Sequence, residues 1–297
     1  MPSTAFEPTS TPVARAADLP LPAPGWGIDQ ARAALEAARS RLPLDPGPAG
    51  EVLGLLTTVV LAAGAHVVKV YPPGTDTGHL DRIHAELAGS RTATPAVGRC
   101  VETPHGVVSV APRLVGDLPV SWPELGALLR TFHEEHAGAD VGQWSPLSRL
   151  DSQLDVLPEP DAVVLRSARD RLLAELALVR SELGIEVIHG DVSPSNVLHD
   201  GRRAALIDLD WVALAPREYD LASASRRFRA GELDRATYRD FCAAYGHDVM
   251  GWDGLPLVDE VADLAGVAFR IWDCRHHGRD LDWLAAELPR WTACADA

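Results

Sequence analysis

The sequence predicts an α+β chain with a small strand-rich N-terminal lobe followed by a larger, mainly helical lobe and a cleft between them. Two observations lead there. Apolar, β-branched runs concentrate before about residue 115, and helical periodicity dominates after it, apart from one short two-stranded insert. The expected organisation is a disordered leader over 1–27, an N-terminal lobe over 28–115 and a C-terminal lobe over 116–297.

The leader is rich in Pro, Ser and Thr, with no basic start and apolar block of a secretory signal. In "GIDQARAALEAARSRL" the spacing predicts a helix with Asp29 as its N-cap. "EVLGLLTTVVLAAGAHVVKVYPP" reads as two strands around a small-residue turn at Ala63–Gly64. "TDTGHLDRIHAELAGS" opens with capping residues and continues as a helix. "GVVSVAPRLV" is a further strand, broken by Pro112. Beyond it, "SWPELGALLRTFHEEHAG" sets Leu125, Leu128, Leu129 and Phe132 on one helical face, and "DAVVLRSARDRLLAELALVRSELG" is a second long helix. From about Glu218 the remainder is mainly helical.

Composition narrows the function classes. The chain is 46% hydrophobic and 23% charged, an ordinary globular balance. No run approaches the ~18 apolar residues of a membrane span. The net charge is −15 and lopsided: residues 1–115 carry 10 acids against 9 bases, residues 116–297 carry 32 against 18. Such a second half repels nucleic acid and anionic membranes and attracts cations. The four cysteines form no C-x-x-C pair, which fits a reducing, cytoplasmic setting. Among 27 basic residues Lys69 is the only lysine.

The most informative stretch is "VIHGDVSPSNVLHDGRRAALIDLDW". Asp200–Gly201 is a two-residue hairpin signal between two apolar runs. A hairpin brings its ends together, so Asp191 and Asn196 on the incoming side converge with Asp208 on the outgoing side. Hard divalent cations such as Mg²⁺ take carboxylate and amide oxygens from protein and the rest from phosphates and water. A further carboxylate at such a site can accept a proton from a hydroxyl. With a lysine on a strand of the small lobe, these are the parts of a phosphoryl-transfer site.

"HGDVSPSN", followed by "IDLDW" and "REYDLA", resembles the aminoglycoside phosphotransferase and choline kinase family, which has a protein-kinase-like fold. The likeness covers most of residues 50–270, with "HVVKVY" similar to the lysine strand and "LGALLRTFHE" to the helix opening the large lobe. It implies Asp191 as catalytic base, Asn196 and Asp208 as Mg²⁺ ligands, and Lys69 on the phosphates of ATP or GTP. His189 would brace the catalytic loop, and Asp220 would tie that loop down. The implied nucleotide contacts also include Gly54 and Thr57 in the phosphate-covering segment, and Ala111 and Arg113. Glu86 is the expected acidic partner of Lys69, with Asp81 as the alternative. Asp210 reads either as a third metal ligand or, preferentially, as a solvent-facing or loop-bonding acid. The chain departs from the kinase pattern in lacking G-x-G-x-x-G: "LGLLTT" holds one glycine.

The resemblance implies a small hydroxylated acceptor, either an aminoglycoside-like antibiotic or an amine or sugar metabolite, bound by the acidic lobe. Asp155, Asp259, Glu260 and Asp263 are the candidate contacts. The expected state is a monomer or dimer. The alternative class is a catalytically silent kinase-like binding protein, but such chains lose the lysine, the base or a metal ligand, and this one keeps all of those residue types.

Overall fold

A computed structural model describes residues 19–116, 118–199 and 201–292. Their contacts group into two compact units. Of the described residues, one joins 19–144 with 185–250, and the other joins 145–184 with 251–292. The units do not part near residue 115, because the helix after that point belongs with the sheet.

In the first unit, α1 (Ile28–Ala38) begins one residue before the expected cap: Gly27 N–H donates to Gln30 Oε1 at 3.0 Å, and Asp29 falls in the first turn. Residues 1–18 of the expected leader lie outside the described residues. From Leu19 on the chain is placed: Leu19 is buried with Tyr71, Leu80 and Val107, and Trp26 Nε1 donates to His105 O.

Five antiparallel strands follow: β1 (Val52–Leu55), β2 (Val59–Ala63), β3 (His66–Tyr71), β4 (Val101–Thr103) and β5 (Gly106–Pro112), in the order β1-β2-β3-β5-β4. The β2–β3 hairpin turns at Gly64–Ala65, one residue later than expected, with Gly64 at a left-handed φ of 61°. Alternation sends Val59, Leu61, Val68, Val70, Val108 and Val110 to one face, where they bury against Ala31, Ala34, Leu35 and Ala38 of α1. Burying each such aliphatic side chain contributes roughly 1.5–3 kcal/mol. The other face carries a cross-strand row of Gly54, Val60, Lys69 and Ser109. The core row therefore fixes, by period two, that Lys69 stands away from α1.

Helix α2 (Thr77–Glu86) is capped by Asp76, whose carboxylate accepts from His79 N–H. Helix α3 (Trp122–Glu135) opens on a Ser121–Glu124 capping box and buries Leu125, Leu129 and Phe132, while Leu128 is only half-buried. It packs on α7, defined below, with Gly126 at the crossing: a Cβ there would meet Phe241 O at 2.6 Å.

The second unit holds α4 (Leu150–Leu154) and α5 (Glu159–Leu176). The chain then returns to the first unit through β6 (Ile185–Ile188), β7 (Val197–His199), β8 (Ala204–Leu206), β9 (Ala213–Pro216), α6 (Glu218–Arg229) and α7 (Arg235–Tyr245). It ends in the second unit with α8 (Leu255–His276) and α9 (Leu284–Thr292); α4 and α5 pack on α8, and α9 packs on α5. The architecture is mixed α+β, as the sequence predicts. No helix among the described residues is long and apolar enough to cross a membrane.

Candidate active site

Two short antiparallel ladders build the site. β6 pairs with β9, Ile188 opposite Ala213, and β7 pairs with β8, Val197 opposite Leu206. Asp200, half of the expected turn signal, lies outside the described residues. Segments 189–196 and 207–212 both run between these ladders and so face each other. Ile207 N–H donates to Asn196 O at 2.9 Å, closing the open end of the hairpin. Gly190 is where the segments touch. Its φ is +81°, and a Cβ would meet Trp211 O at 2.4 Å, so only glycine fits.

This crossing brings Asp191, Asn196 and Asp208 together. Asn196 Nδ2 donates to Asp191 Oδ2 at 3.0 Å and to Asp191 O at 2.9 Å. With the amide nitrogen facing two acceptors, Asn196 Oδ1 is turned away and accepts from no described donor. Asp191 Oδ1 likewise has no described donor. Burial raises the Asp191 pKa above the ordinary carboxylate value; His189 opposes that rise and Asp208 adds to it. Asp208 adopts left-handed backbone geometry, φ 60° and ψ 61°, uncommon for a residue with a side chain and costing roughly 1 kcal/mol or more. That conformation breaks the strand direction after Ile207.

Lys69 reaches this cluster from β3. Its Nζ donates to Asp208 Oδ1 at 2.5 Å and to Asp210 Oδ2 at 2.7 Å. Burial lowers the lysine pKa, but Asp210 and Asp208 outweigh it and the net shift is upward. Asp210 is not solvent-facing: Tyr71 Oη donates to its Oδ1 at 2.8 Å, and its side chain is 10% exposed against 40% for Asp208. Burial raises its pKa, Lys69 and Tyr71 more than reverse this, and the carboxylate is held below the usual range.

The expected lysine partners sit elsewhere. Glu86 Oε2 accepts from Asp140 N–H, and Asp81 Oδ1 accepts from Cys100 N–H. The buried face of α2 offers Leu80, Ile83 and His84, with no acid among them. Of the remaining expected nucleotide contacts, Gly54 shares the Lys69 row, and Ala111, opposite Val67, points to the same sheet face. Thr57 lies between β1 and β2, and Arg113 N–H donates to Ala65 O.

The sequence model of the "Phosphotransferase enzyme family" matches residues 57–258. The chain belongs to that family. No curated protein matches this phosphotransferase in sequence. Among solved structures it is similar to a choline/ethanolamine kinase family protein from Mesorhizobium loti, at 19% identity and TM-score 0.54 over 87% of this chain and 92% of that one. It is also similar to an aminoglycoside-3'-phosphotransferase of type VIII, at 21% identity and TM-score 0.52 over 80% of this chain and 100% of that one. A third neighbour is a spectinomycin phosphotransferase in complex with ADP and spectinomycin, at 15% identity and TM-score 0.53 over 87% and 92%. At these identities the likeness carries the fold, which is the protein-kinase-like α+β fold predicted from the sequence.

Within the phosphotransferase a buried network holds the loop that carries Asp191. His189 Nε2 donates to Ile207 O, and its Nδ1 accepts from Asp191 N–H, so both ring nitrogens are used by backbone. Asp220, at the start of α6, accepts from His189 N–H at 2.7 Å, Gly190 N–H at 2.9 Å and His133 Nε2 at 2.9 Å. Burial raises the Asp220 pKa, and these donors outweigh it and bring the carboxyl below its ordinary value. His133 Nδ1 in turn accepts from Tyr245 Oη at 2.8 Å. Sequence reasoning missed His133, Tyr245 and Tyr71. The available signal for Tyr71 was its i,i+2 spacing from Lys69 on one strand.

The four acids expected at the acceptor lie in the second unit. Glu260 pairs with Arg171 of α5 at 3.1 Å, and Asp263 pairs with Arg290 of α9. Asp259 also has a partner, whereas Asp155 is exposed at the end of α4. Two of the four thus brace helices of their own unit.

The donor set suits a hard divalent cation. Among the described residues, the oxygens at the cluster with no donor are one carboxylate oxygen each of Asp208 and Asp191 and the amide oxygen of Asn196; those of Asp208 and Asn196 are the pair suited to a cation. Among the described residues no group of three or more His, Cys, Asp or Glu side chains could hold a metal, so further ligands would have to come from phosphate and water.

Proposed function

We propose that this phosphotransferase moves the γ-phosphate of ATP or GTP to a hydroxyl of a small cationic acceptor of the aminoglycoside type, in the cytoplasm. The observation that carries the proposal is the convergence of Asp191, Asn196, Asp208 and Lys69 on one point. Asp191 Oδ2 is held by Asn196, which leaves Oδ1 to accept the acceptor's hydroxyl proton as its oxygen bonds to the γ-phosphorus and the bond to the β-phosphate oxygen breaks. Burial, by raising the Asp191 pKa, makes it a better proton acceptor. Lys69 supplies a fixed positive charge to the nucleotide phosphates. Mg²⁺, held by Asn196 and Asp208, would neutralise phosphate charge.

Gly54, Thr57, Ala111 and Arg113 are proposed nucleotide contacts, the first and third because they share the Lys69 face. The acceptor class is supported by the 32 acids against 18 bases after residue 115 and by the antibiotic substrate in one neighbour's complex. A choline- or ethanolamine-type amine metabolite is the second reading, favoured by the Mesorhizobium loti neighbour. Asp155 is the acid left most open for such a cation.

A coupled ADP-release screen over aminoglycosides, other hydroxylated antibiotics and amine metabolites tests the acceptor. A flat response to every aminoglycoside removes the favoured class. Asp191→Ala is expected to abolish transfer with folding retained, and Lys69→Arg to cripple it while keeping the charge. Full turnover by Asp191→Ala would overturn the mechanism.

A further inference from the structure

Lys69 has a side chain only 16% exposed, so its charge needs a counter-ion that stays with it. Helix α2 does not provide one, since both its acids are engaged with backbone N–H groups elsewhere. Asp208 contacts the lysine, but it is also the carboxylate whose second oxygen is uncommitted. Asp210 differs from Asp208 in every respect that matters here. Its Oδ2 is taken by Lys69 and its Oδ1 by Tyr71. Its carbonyl accepts from His79 Nε2 at 3.0 Å, which ties the turn carrying Asp210 to the first turns of α2. Lys69 and Tyr71 stand two apart on β3, so they leave the same face of the strand and grip one carboxylate from one side.

We infer that Asp210 is the positioning acid for Lys69, fixed by Tyr71 and His79, and that the two aspartates of "IDLDW" divide the labour: Asp208 serves the cation and Asp210 serves the lysine. The inference rests on the phosphotransfer reading above. It makes Asp210 a residue that acts through Lys69 and not a metal ligand, because both of its oxygens already face donors, Lys69 Nζ and Tyr71 Oη. It also explains how a chain without an available acid on α2 still holds its one lysine toward the nucleotide.

The test is a direct calorimetric titration of the full chain with a non-hydrolysable ATP analogue, repeated over a range of Mg²⁺ concentrations. Asp210→Asn is expected to weaken nucleotide affinity ~10-fold or more, the scale of a hydrogen bond to a charged group. Tyr71→Phe is expected to weaken it in the same direction by ~3-fold, as loss of one neutral donor would. The apparent Mg²⁺ constant should stay within about twofold of wild type for both, since no ligand is removed. Asp210→Glu should recover part of the affinity, which a purely structural role would not predict. An Asp210→Asn protein with wild-type affinity overturns the inference, and so does one whose Mg²⁺ requirement rises tenfold while Tyr71→Phe changes nothing. Should Asp210→Asn not fold, Tyr71→Phe decides: wild-type affinity in that variant is also a refutation. Failure of the wild-type chain to bind nucleotide would strike the phosphotransfer reading itself, a result distinct from normal wild-type binding with indifferent variants.

Discussion

Replacing Asp220 with asparagine is the sharpest perturbation of the loop that carries Asp191. The Asp220 side chain is fully buried. Its two oxygens accept three hydrogen bonds: Oδ2 from His189 N–H and His133 Nε2, and Oδ1 from Gly190 N–H. Asparagine is isosteric but has one acceptor oxygen. In its best orientation it keeps the two bonds at the Oδ2 position and turns its NH₂ against Gly190 N–H. An unsatisfied buried donor costs about 1–3 kcal/mol, and the two surviving bonds lose the extra strength of a charged acceptor. The sum is about 2–4 kcal/mol, a large share of the ~5–15 kcal/mol that a domain commonly has. The variant is expected to fold, with a lower urea midpoint and an unchanged m-value. Because Gly190 adjoins the proposed base, a displacement near 1 Å should also cut turnover by ~10²-fold. Urea denaturation followed by circular dichroism reads the first effect and ADP release the second. Stability within ~0.5 kcal/mol of wild type would show that Asp220 is not the anchor described here.

Acid should act on the same anchor. The folded pKa of Asp220 lies below its ordinary value, so its contribution is present above the unfolded carboxylate pKa near ~3.9 and is lost as pH falls below that. Gly190→Ala places a Cβ 2.4 Å from Trp211 O at a left-handed φ; it should cost about 2–5 kcal/mol by denaturation and misplace Asp191, read as lost turnover. His84 is held by burial at a pKa of about 4, below the ~6.5 of an exposed histidine. The unfolded chain therefore takes the proton first, and stability should fall by about 3 kcal/mol as pH drops through that window. His84→Gln should flatten that part of the stability–pH curve, and a curve parallel to wild type would refute the assignment.

Much of the site was legible in the sequence because its chemistry depends on local spacing. A strong turn signal in the sequence at Asp200–Gly201, between two apolar runs, is enough to bring residues 196 and 207 together, and the convergence of Asp191, Asn196 and Asp208 follows from it. The strands were legible as apolar, β-branched runs, but not which face each residue takes, since both faces of β2 and β3 are largely apolar. The lysine's partner was not legible. A helix acid such as Glu86 satisfies the spacing of a candidate partner, but which face α2 turns inward depends on Leu80 and Ile83 filling the core, a tertiary choice. The Asp220–His133–Tyr245 chain was hidden for a related reason. His133 and Asp220 are 87 positions apart, and no local pattern relates a histidine in α3 to an acid opening α6. The compact units were equally hidden, because the chain leaves the first at residue 144 and re-enters it at 185.

The single lysine among 26 arginines can now be given a reason in geometry. A guanidinium is a flat fork that matches one carboxylate bidentately, and it is bulky. Here the requirement is different. One compact nitrogen stands between two carboxylates, 2.5 Å from Asp208 and 2.7 Å from Asp210, and lies over the Tyr71 ring, 5.1 Å from its centroid. On the proposed reading, three rotatable donors on an ammonium would let it hold Asp210 and redirect another proton from Asp208 toward a phosphate oxygen without moving the stem. A guanidinium fixed on one acid keeps further donors, but they lie in the plane of its fork and cannot be redirected independently of it. On the proposed reading, the position favours a compact charge that can change partners on one side while staying anchored on the other, which suits lysine better than a rigid fork.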